Sequence, residues 1–168
     1  MAAGLATAGV LAAPAATASG RTQIQVQDRC DPVTFDAALG AGSCVSTRDG
    51  TVTFAAFLAR ANPHDGGHGA WNFSRKDTHI DRGEALHVSN TGGEVHSFTE
   101  VSRFGTVGIA PLDAALPDGT PAALPIGDPA TTFLPPGAAL DVAGLSPGVH
   151  TFQCLIHPWM RTTVEVRG

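Results

Sequence analysis

Three side chains with metal-binding chemistry fall within seven residues, in the stretch Cys154-Leu-Ile-His157-Pro-Trp-Met160-Arg161. One short loop at the end of an apolar run thus carries a thiolate, an imidazole and a thioether. A second imidazole, His96, lies upstream in residues 92–98. Two His and one Cys in a trigonal arrangement, with a weak axial Met, are the ligand set of blue copper electron-transfer sites. The residue types therefore predict a copper site formed by His96, Cys154, His157 and Met160.

The spacing explains how one loop could present most of these ligands. Cys154 ends an alternating strand, which fixes the side that its sulfur faces. His157 follows three residues later, where Pro158 restricts it to extended backbone and removes one loop N–H. A stiff loop keeps its geometry in both oxidation states, which favours fast electron transfer. His96 must come from a distant strand, and so the folded barrel has to bring it to the loop.

These segments resemble a known family. Cys-x-x-His-Pro-Trp-Met-Arg, followed by the alternating residues 163–166, is similar to the C-terminal copper loop and last strand of the cupredoxins. It is most similar to the short-loop type represented by amicyanin, whereas plastocyanins place two more residues between His and Met. Residues 80–90 resemble the strand-turn-strand before the family's first histidine. The resemblance covers residues 70–168 and implies an all-β, cupredoxin-like Greek-key β-sandwich or barrel with one type 1 copper ion.

Two positions depart from the family's pattern. Ser97 stands where an Asn usually follows the first histidine and ties the two ligand loops together. Thr162 stands where a Gly commonly follows the Met-Arg pair. Neither change removes a ligand, but both bear on the rigidity of the loop and on the redox potential.

The N-terminal twenty residues have the pattern of a secretory signal. They carry no charged side chain, residues 4–13 form an apolar core, and residues 16–18 have the small-x-small form of a cleavage site. A basic n-region is missing, so a flexible Ala-rich tail or a short uncleaved anchor stays open. We expect export to the periplasm or to the extracellular or cell-surface space.

The three cysteines divide by spacing. Cys30 and Cys44 are fourteen residues apart, which in an exported protein indicates a small disulfide loop. Cys154 is then left free, as a metal thiolate must be. A bridge between Cys154 and one of the other two is the alternative.

Residues 21–69 are predicted to form an N-terminal extension, packed on the barrel and too small to be a second domain. A short helix begins at Asp31-Pro32 and ends at Gly40, and a second is capped by Thr51 or Thr53. Residues 62–69 form a loop in which His64 and His68 could bind a second metal, although a solvated loop is favoured.

Alternating strands are predicted from residue 71 onward, and the histidines on them at positions 79, 87 and 150 are interpreted as ordinary ones. Residues 105–137 are rich in Pro and Gly and predict a long loop.

The ligand loop itself is apolar around His157, through Leu155, Ile156, Pro158 and Trp159. We expect a docking patch there with the imidazole edge near solvent; the alternative is that Trp159 folds back and seals the copper.

Composition and net charge limit the classes of function that the chain could have. A chain of 168 residues with 43% hydrophobic residues suits one folded domain, and a net charge of −5 argues against nucleic-acid binding. The favoured interpretation is a monomeric electron carrier that exchanges electrons with redox protein partners. Whether it works near a membrane surface stays open. It is not expected to be an enzyme, because a copper-dependent oxidase domain commonly needs His-x-His pairs and the chain has none. A Cys–His nucleophile stays open as a second enzymatic hypothesis, and a copper storage or delivery protein without electron transfer stays open as a binding one.

Overall fold

The computed structural model describes residues 20–46, 50–60, 69–114 and 116–168. Most of the secondary structure in these residues is β-strand. The strands are Arg21–Asp28 (β1), Trp71–Phe73 (β2), Asp77–Asp81 (β3), Ala85–Asn90 (β4), His96–Ser97 (β5), Thr99–Arg103 (β6), Leu124–Pro125 (β7), Phe133–Leu134 (β8), Ala139–Val142 (β9), Gly148–Gln153 (β10) and Arg161–Arg167 (β11). The helices are Pro32–Leu39 (α1), Phe54–Ala59 (α2) and Ala110–Asp113 (α3), with a 3₁₀ turn at Pro129–Thr132.

Two of the sequence predictions fall outside these residues. Nearly all of the signal-like segment, residues 1–19, is one of them, and the loop with His64 and His68 is the other. Within the described part of the chain, no helix combines the length and the apolar character needed to cross a membrane.

Two main sheets carry the fold. The first has the strand order β2-β1-β4-β9, in which β1 and β4 run parallel and the other neighbours antiparallel. The second has the order β3-β11-β10-β6-β7, in which β3 and β11 run parallel. A short ladder joins β5 to β8. The predicted mainly β architecture is confirmed.

Alternating burial in the strands forms the core between the sheets. In β1, Ile24 and Val26 point inward between polar neighbours, and in β11 Val164 and Val166 do the same. This is the pattern expected when one face of each strand is buried. The core cluster continues through Phe98 and Phe152 to Cys154, so the candidate ligands lie at one end of it.

Strand β1 was not expected from the sequence. Residues 21–69 were predicted to pack on the barrel, but β1 lies between β2 and β4 and pairs with both. The strand thereby forms part of the first sheet, and its last residue, Asp28, reaches the end of the sandwich where the candidate ligands meet.

The two N-terminal helices lie where local signals predict them. Asp31 caps α1 by accepting a hydrogen bond from the Val33 N–H, and Gly40, at φ 104°, follows its last turn. Thr53, the second of the two predicted caps, begins α2 by accepting from the Ala56 N–H. The predicted disulfide between Cys30 and Cys44 is confirmed, and it connects the end of β1 to the segment after α1.

Residues 105–137 contain more structure than the predicted long loop. Helix α3, the 3₁₀ turn and strands β7 and β8 all fall inside this segment. Its strands are only two residues long, consistent with a segment in which many residues are prolines that cannot donate ladder hydrogen bonds. Strand β8 pairs with β5 and places Leu134 opposite His96, so the segment packs beside one candidate ligand.

Candidate metal centre

The ligand loop is a tight connection between β10 and β11. Cys154 follows the last residue of β10, and its N–H donates to the carbonyl of Met160 at 3.0 Å. The Met160 N–H in turn donates to the carbonyl of His157 at 2.9 Å. Arg161 Nε donates to the carbonyl of Pro158 at 2.7 Å and fixes the loop's outer side. The loop is therefore held by its own backbone before any ligand is considered.

Three of the four predicted ligands come together in the fold. Cys154 Sγ lies 3.9 Å from His96 Nδ1 and 4.0 Å from His157 Nδ1, and the two nitrogens are 3.2 Å apart. A triangle with these sides has a centre about 2.2 Å from each corner, which matches the typical 2.0–2.3 Å of metal–imidazole and metal–thiolate bonds. All three residues are buried, and their donor atoms could hold a metal ion.

Met160, the fourth predicted ligand, is buried in the core cluster and belongs to the same loop. Its described hydrogen bonds are the two backbone bonds above, which place its backbone beside both Cys154 and His157. An axial role for its thioether remains a prediction.

The sulfur of Cys154 sits in an environment that favours the thiolate. Backbone N–H groups of Ser97, Ile156 and His157 donate to it at 3.4, 3.4 and 3.5 Å. Burial by itself would raise the pKa of the thiol, but its hydrogen bonds with His157 and His96 lower that pKa to about 5. The group is thus ready to act as an anionic ligand near neutral pH.

Ser97 ties the two ligand-bearing segments together. Its hydroxyl oxygen accepts the Leu155 N–H at 2.8 Å and also accepts the Thr99 hydroxyl at 3.0 Å. The first bond joins the residue after His96 to the residue after Cys154. Although the side chain differs from the Asn common in the resembled family, a cross-link between the loops is present.

The ring of His96 is held from behind by a buried carboxylate. Its Nε2 lies 2.6 Å from Asp28 Oδ1, and both side chains are 0% exposed. The other carboxylate oxygen accepts the N–H groups of Gly93 and Glu94 at 2.7 and 2.8 Å. Burial by itself would lower the pKa of His96, but its hydrogen bonds with Asp28 and Cys154 raise that pKa to about 9. Sequence reasoning missed Asp28, for which no local pattern gave a signal.

Two glycines permit this close approach. A Cβ at Gly92 would collide with the carboxylate of Asp28, and a Cβ at Gly93 would collide with the carbonyl of Val45. The absence of side chains at these two positions lets β1 and the segment after α1 pack directly on the chain that leads to His96.

His157 lies beneath an aromatic cover, which consists of Phe57, Trp71 and Trp159. The imidazole stacks on the Trp71 ring, with centroids 5.0 Å apart and planes inclined by 12°. Phe57 packs on Trp159 and Trp71 with centroids 5.4 and 5.7 Å away. The predicted solvent-facing His157 edge and the docking patch on Trp159 are therefore wrong, because these residues are only 5% and 3% exposed. The alternative, in which Trp159 seals the centre, agrees with the fold.

The remaining described histidines pair with carboxylates away from the centre. His79 lies 3.0 Å from Glu165, and the ring nitrogens of the other two lie 2.6 Å from their carboxylates. These two pairs are His87–Asp141 and His150–Glu100. Their predicted role as ordinary histidines agrees with this placement.

Comparison with known proteins gives structural relatives only. No family model and no curated protein matches the chain. Among solved structures, the chain is similar to a purple cupredoxin from Nitrosopumilus maritimus, with a TM-score of 0.44 and 14% identity over 86% of this chain and 98% of that one. It is also similar to a reduced Cu(I) form of an amicyanin variant, with a TM-score of 0.39 and 19% identity over 57% of this chain and 73% of that one.

The first of these structures is described as a cupredoxin and the second as an amicyanin, the two names that the sequence motifs suggested. At such TM-scores and identities the likeness carries no inference about metal or function. What the chain's own fold defines is a β-sandwich with a buried His-Cys-His group at one end.

Proposed function

We propose that this chain is an exported blue copper protein that carries single electrons between redox proteins. His96, Cys154 and His157 would hold one type 1 copper ion, with Met160 as a fourth and weaker ligand. The observation that carries the proposal is the preformed triangle of three buried donor atoms, with sides of 3.2 to 4.0 Å.

The donor set favours copper over zinc. Thiolate and thioether sulfur suit Cu(I), while imidazole suits Cu(II), so a mixed set can serve both oxidation states. A structural zinc ion takes four Cys or His ligands. In the part of the chain that is described, the cluster offers only three such ligands, and the nearest further candidate in sequence is the thioether of Met160.

The protein's contribution is a rigid and dry cage. Copper bound there would supply the chemistry, a reversible one-electron change between Cu(I) and Cu(II). Cys154 is oriented by three N–H groups, His96 by Asp28, and His157 by stacking on Trp71. Because backbone bonds and close packing hold each donor, the ligands need to move little between oxidation states, which keeps electron transfer fast.

The aromatic cover separates the metal centre from any redox partner. His157, Trp71 and Trp159 are only 5%, 4% and 3% exposed, so an electron must cross the cover to reach a redox partner. The buried ligands also argue against storage or delivery, because releasing an ion would require the cover to open.

Export is proposed together with this function. A disulfide persists in oxidising compartments, and Cys30–Cys44 accompanies a buried cysteine that stays unpaired. The signal-like residues 1–20 point the same way. The proposal also includes a monomer that has no enzymatic activity of its own.

An absorption titration tests the proposal. Adding Cu(II) to the metal-free protein should produce an intense visible thiolate-to-Cu(II) band at a one-to-one ratio, and the band should vanish and return through reversible reduction. Cys154→Ser should abolish the band, because Cys154 is the single cysteine outside the disulfide. A colourless protein that binds only Cu(I) would support delivery, and a Ser variant that keeps the band would overturn the ligand assignment.

A further inference from the structure

We infer that Asp28 is a positioning residue of the metal centre, whose carboxylate fixes the tautomer of His96 and strengthens the centre's preference for the oxidised metal. The inference deepens the proposed function and rests on it, because it takes His96 Nδ1 to be a metal ligand.

The two nitrogens of His96 face different partners. Nδ1 lies 3.9 Å from Cys154 Sγ and 3.2 Å from His157 Nδ1, on the side where the donors converge. Nε2 lies 2.6 Å from Asp28 Oδ1 on the other side. When Nε2–H donates to the carboxylate, the lone pair of Nδ1 is directed toward the donor triangle. A carboxylate behind a metal-binding histidine fixes the tautomer and raises the basicity of the ligand.

Asp28 is itself immobilised. Its second oxygen accepts two backbone N–H groups, those of Gly93 and Glu94, and the whole side chain is withdrawn from solvent. Gly92 packs so closely on the carboxylate that no Cβ fits there. Disulfide-bonded Cys30 follows two residues later and anchors the end of β1. The carboxylate therefore cannot rotate away from His96 without breaking the local fold.

The other candidate ligand histidine provides an internal contrast. His157 Nε2 lies 3.6 Å from Glu94 Oε2, beyond hydrogen-bond distance, and the Glu94 side chain is partly exposed. Glu94 also accepts the Val45 N–H through its other oxygen. Each histidine thus has one carboxylate behind it, but only that of Asp28 is buried and at hydrogen-bond distance.

The buried negative charge should favour Cu(II) over Cu(I). Loss of such a partner typically lowers metal affinity about 10- to 100-fold. If the affinity for Cu(II) falls about tenfold and the affinity for Cu(I) does not change, the reduction potential rises by about 59 mV, which is the one-electron value for a tenfold change.

Asp28→Asn tests the assignment, because asparagine has the same shape, removes the negative charge and keeps an oxygen that can accept from Nε2–H, while its NH2 group faces the N–H groups of Gly93 and Glu94. The reduction potential of the copper-loaded variant, measured by mediated redox titration, should rise by about 59 mV or more. Glu94→Gln is the matched control and should shift the potential much less. An unchanged potential in the Asn variant, or equal shifts in both variants, would overturn the role of Asp28.

A measurement on the unmodified protein covers the case in which the Asn variant does not fold. In the Zn(II)-loaded wild type, the Hε2 proton of His96 should be visible by NMR and should exchange with solvent more slowly than that of His157. Equal exchange of the two protons would overturn the inference. A wild type that binds neither copper nor zinc would overturn the proposed function itself, whereas metal binding with an unshifted Asn variant overturns only the role of Asp28.

Discussion

Replacing Phe57 by alanine should open the aromatic cover and expose the thiolate beneath it. Phe57 lies in α2, is buried, and makes edge contacts with the rings of Phe35, Trp71 and Trp159 at centroid distances of 5.4 to 5.7 Å. The backbone of the ligand loop does not depend on this side chain, since the loop's described hydrogen bonds run within the loop and to Ser97. The variant should therefore loosen the cover while leaving the three donors in place.

The magnitude follows from the burial of the ring. Deleting a buried phenylalanine side chain typically costs about 3 to 5 kcal/mol. If about 3 kcal/mol of that cost destabilises the closed state of the cover relative to the open state, the population of the open state rises about 100-fold. Each 1.4 kcal/mol changes the equilibrium by about a factor of ten. Because α2 has only six residues, the lost contacts should be felt locally before the sheets separate.

Alkylation of Cys154 by iodoacetamide in the metal-free protein measures this opening. At pH 7 a thiol with a pKa of about 5 is already ionised, so the rate reports access to the sulfur. Phe57→Ala should accelerate the reaction about 100-fold. Ile80→Ala is the matched control, since Ile80 is equally buried but pairs with Val166, at the opposite end of β11 from the ligand loop. Acceleration below about threefold, or the same acceleration in both variants, would refute a sealing role for the cover.

Three further outcomes are expected. Met160→Leu should keep the copper and its colour but raise the reduction potential, since the axial bond is weak and its loss disfavours Cu(II); an unshifted potential would show that Met160 is not axial. Removing the disulfide with Cys30→Ala and Cys44→Ala should lower the free energy of unfolding of the metal-free protein by about 3 kcal/mol without changing the copper spectrum, and thermal melts and absorption check both. His150 has its pKa reduced by burial but raised overall by Glu100, so its stabilising contribution is present below about pH 6.5 and is lost as the pH rises through the raised pKa. His150→Gln should therefore cost more stability near pH 5.5 than near pH 9, and equal losses in denaturant melts at both values would contradict it.

Features governed by neighbouring residues could be predicted from the sequence. The caps of α1 and α2 depend on Asp31 and Thr53, which act within three residues of themselves. Cys154 and His157 are three apart in one loop, so their convergence needs only a turn. His96 could be predicted from its residue type and its place after a predicted strand. That it lies beside the ligand loop is visible only in the fold.

Features that depend on distant pairing could not be predicted in the same way. The alternation of Ile24 and Val26 is a strand signal that could have identified β1, but nothing local indicates that this strand runs parallel to β4, more than fifty residues later. The burial of His157 was missed because the residues that cover it, such as Phe57 and Trp71, come from a separate part of the chain. Asp28 was missed for the same reason.

The cysteine spacing also has a consequence for how the chain matures. The disulfide joins cysteines 14 residues apart, whereas a wrong bridge from Cys44 to Cys154 would close a loop of 110 residues. Each doubling of loop length costs about 0.6 kcal/mol of closure entropy, so the wrong bridge is disfavoured by about 1.8 kcal/mol, or about 20-fold, in the unfolded chain. If the chain is exported as proposed, the two N-terminal cysteines emerge before Cys154 and can pair first. Cys154 would then meet an oxidising catalyst when no partner cysteine remains, and the order of the cysteines in the chain would keep its sulfur for the proposed metal.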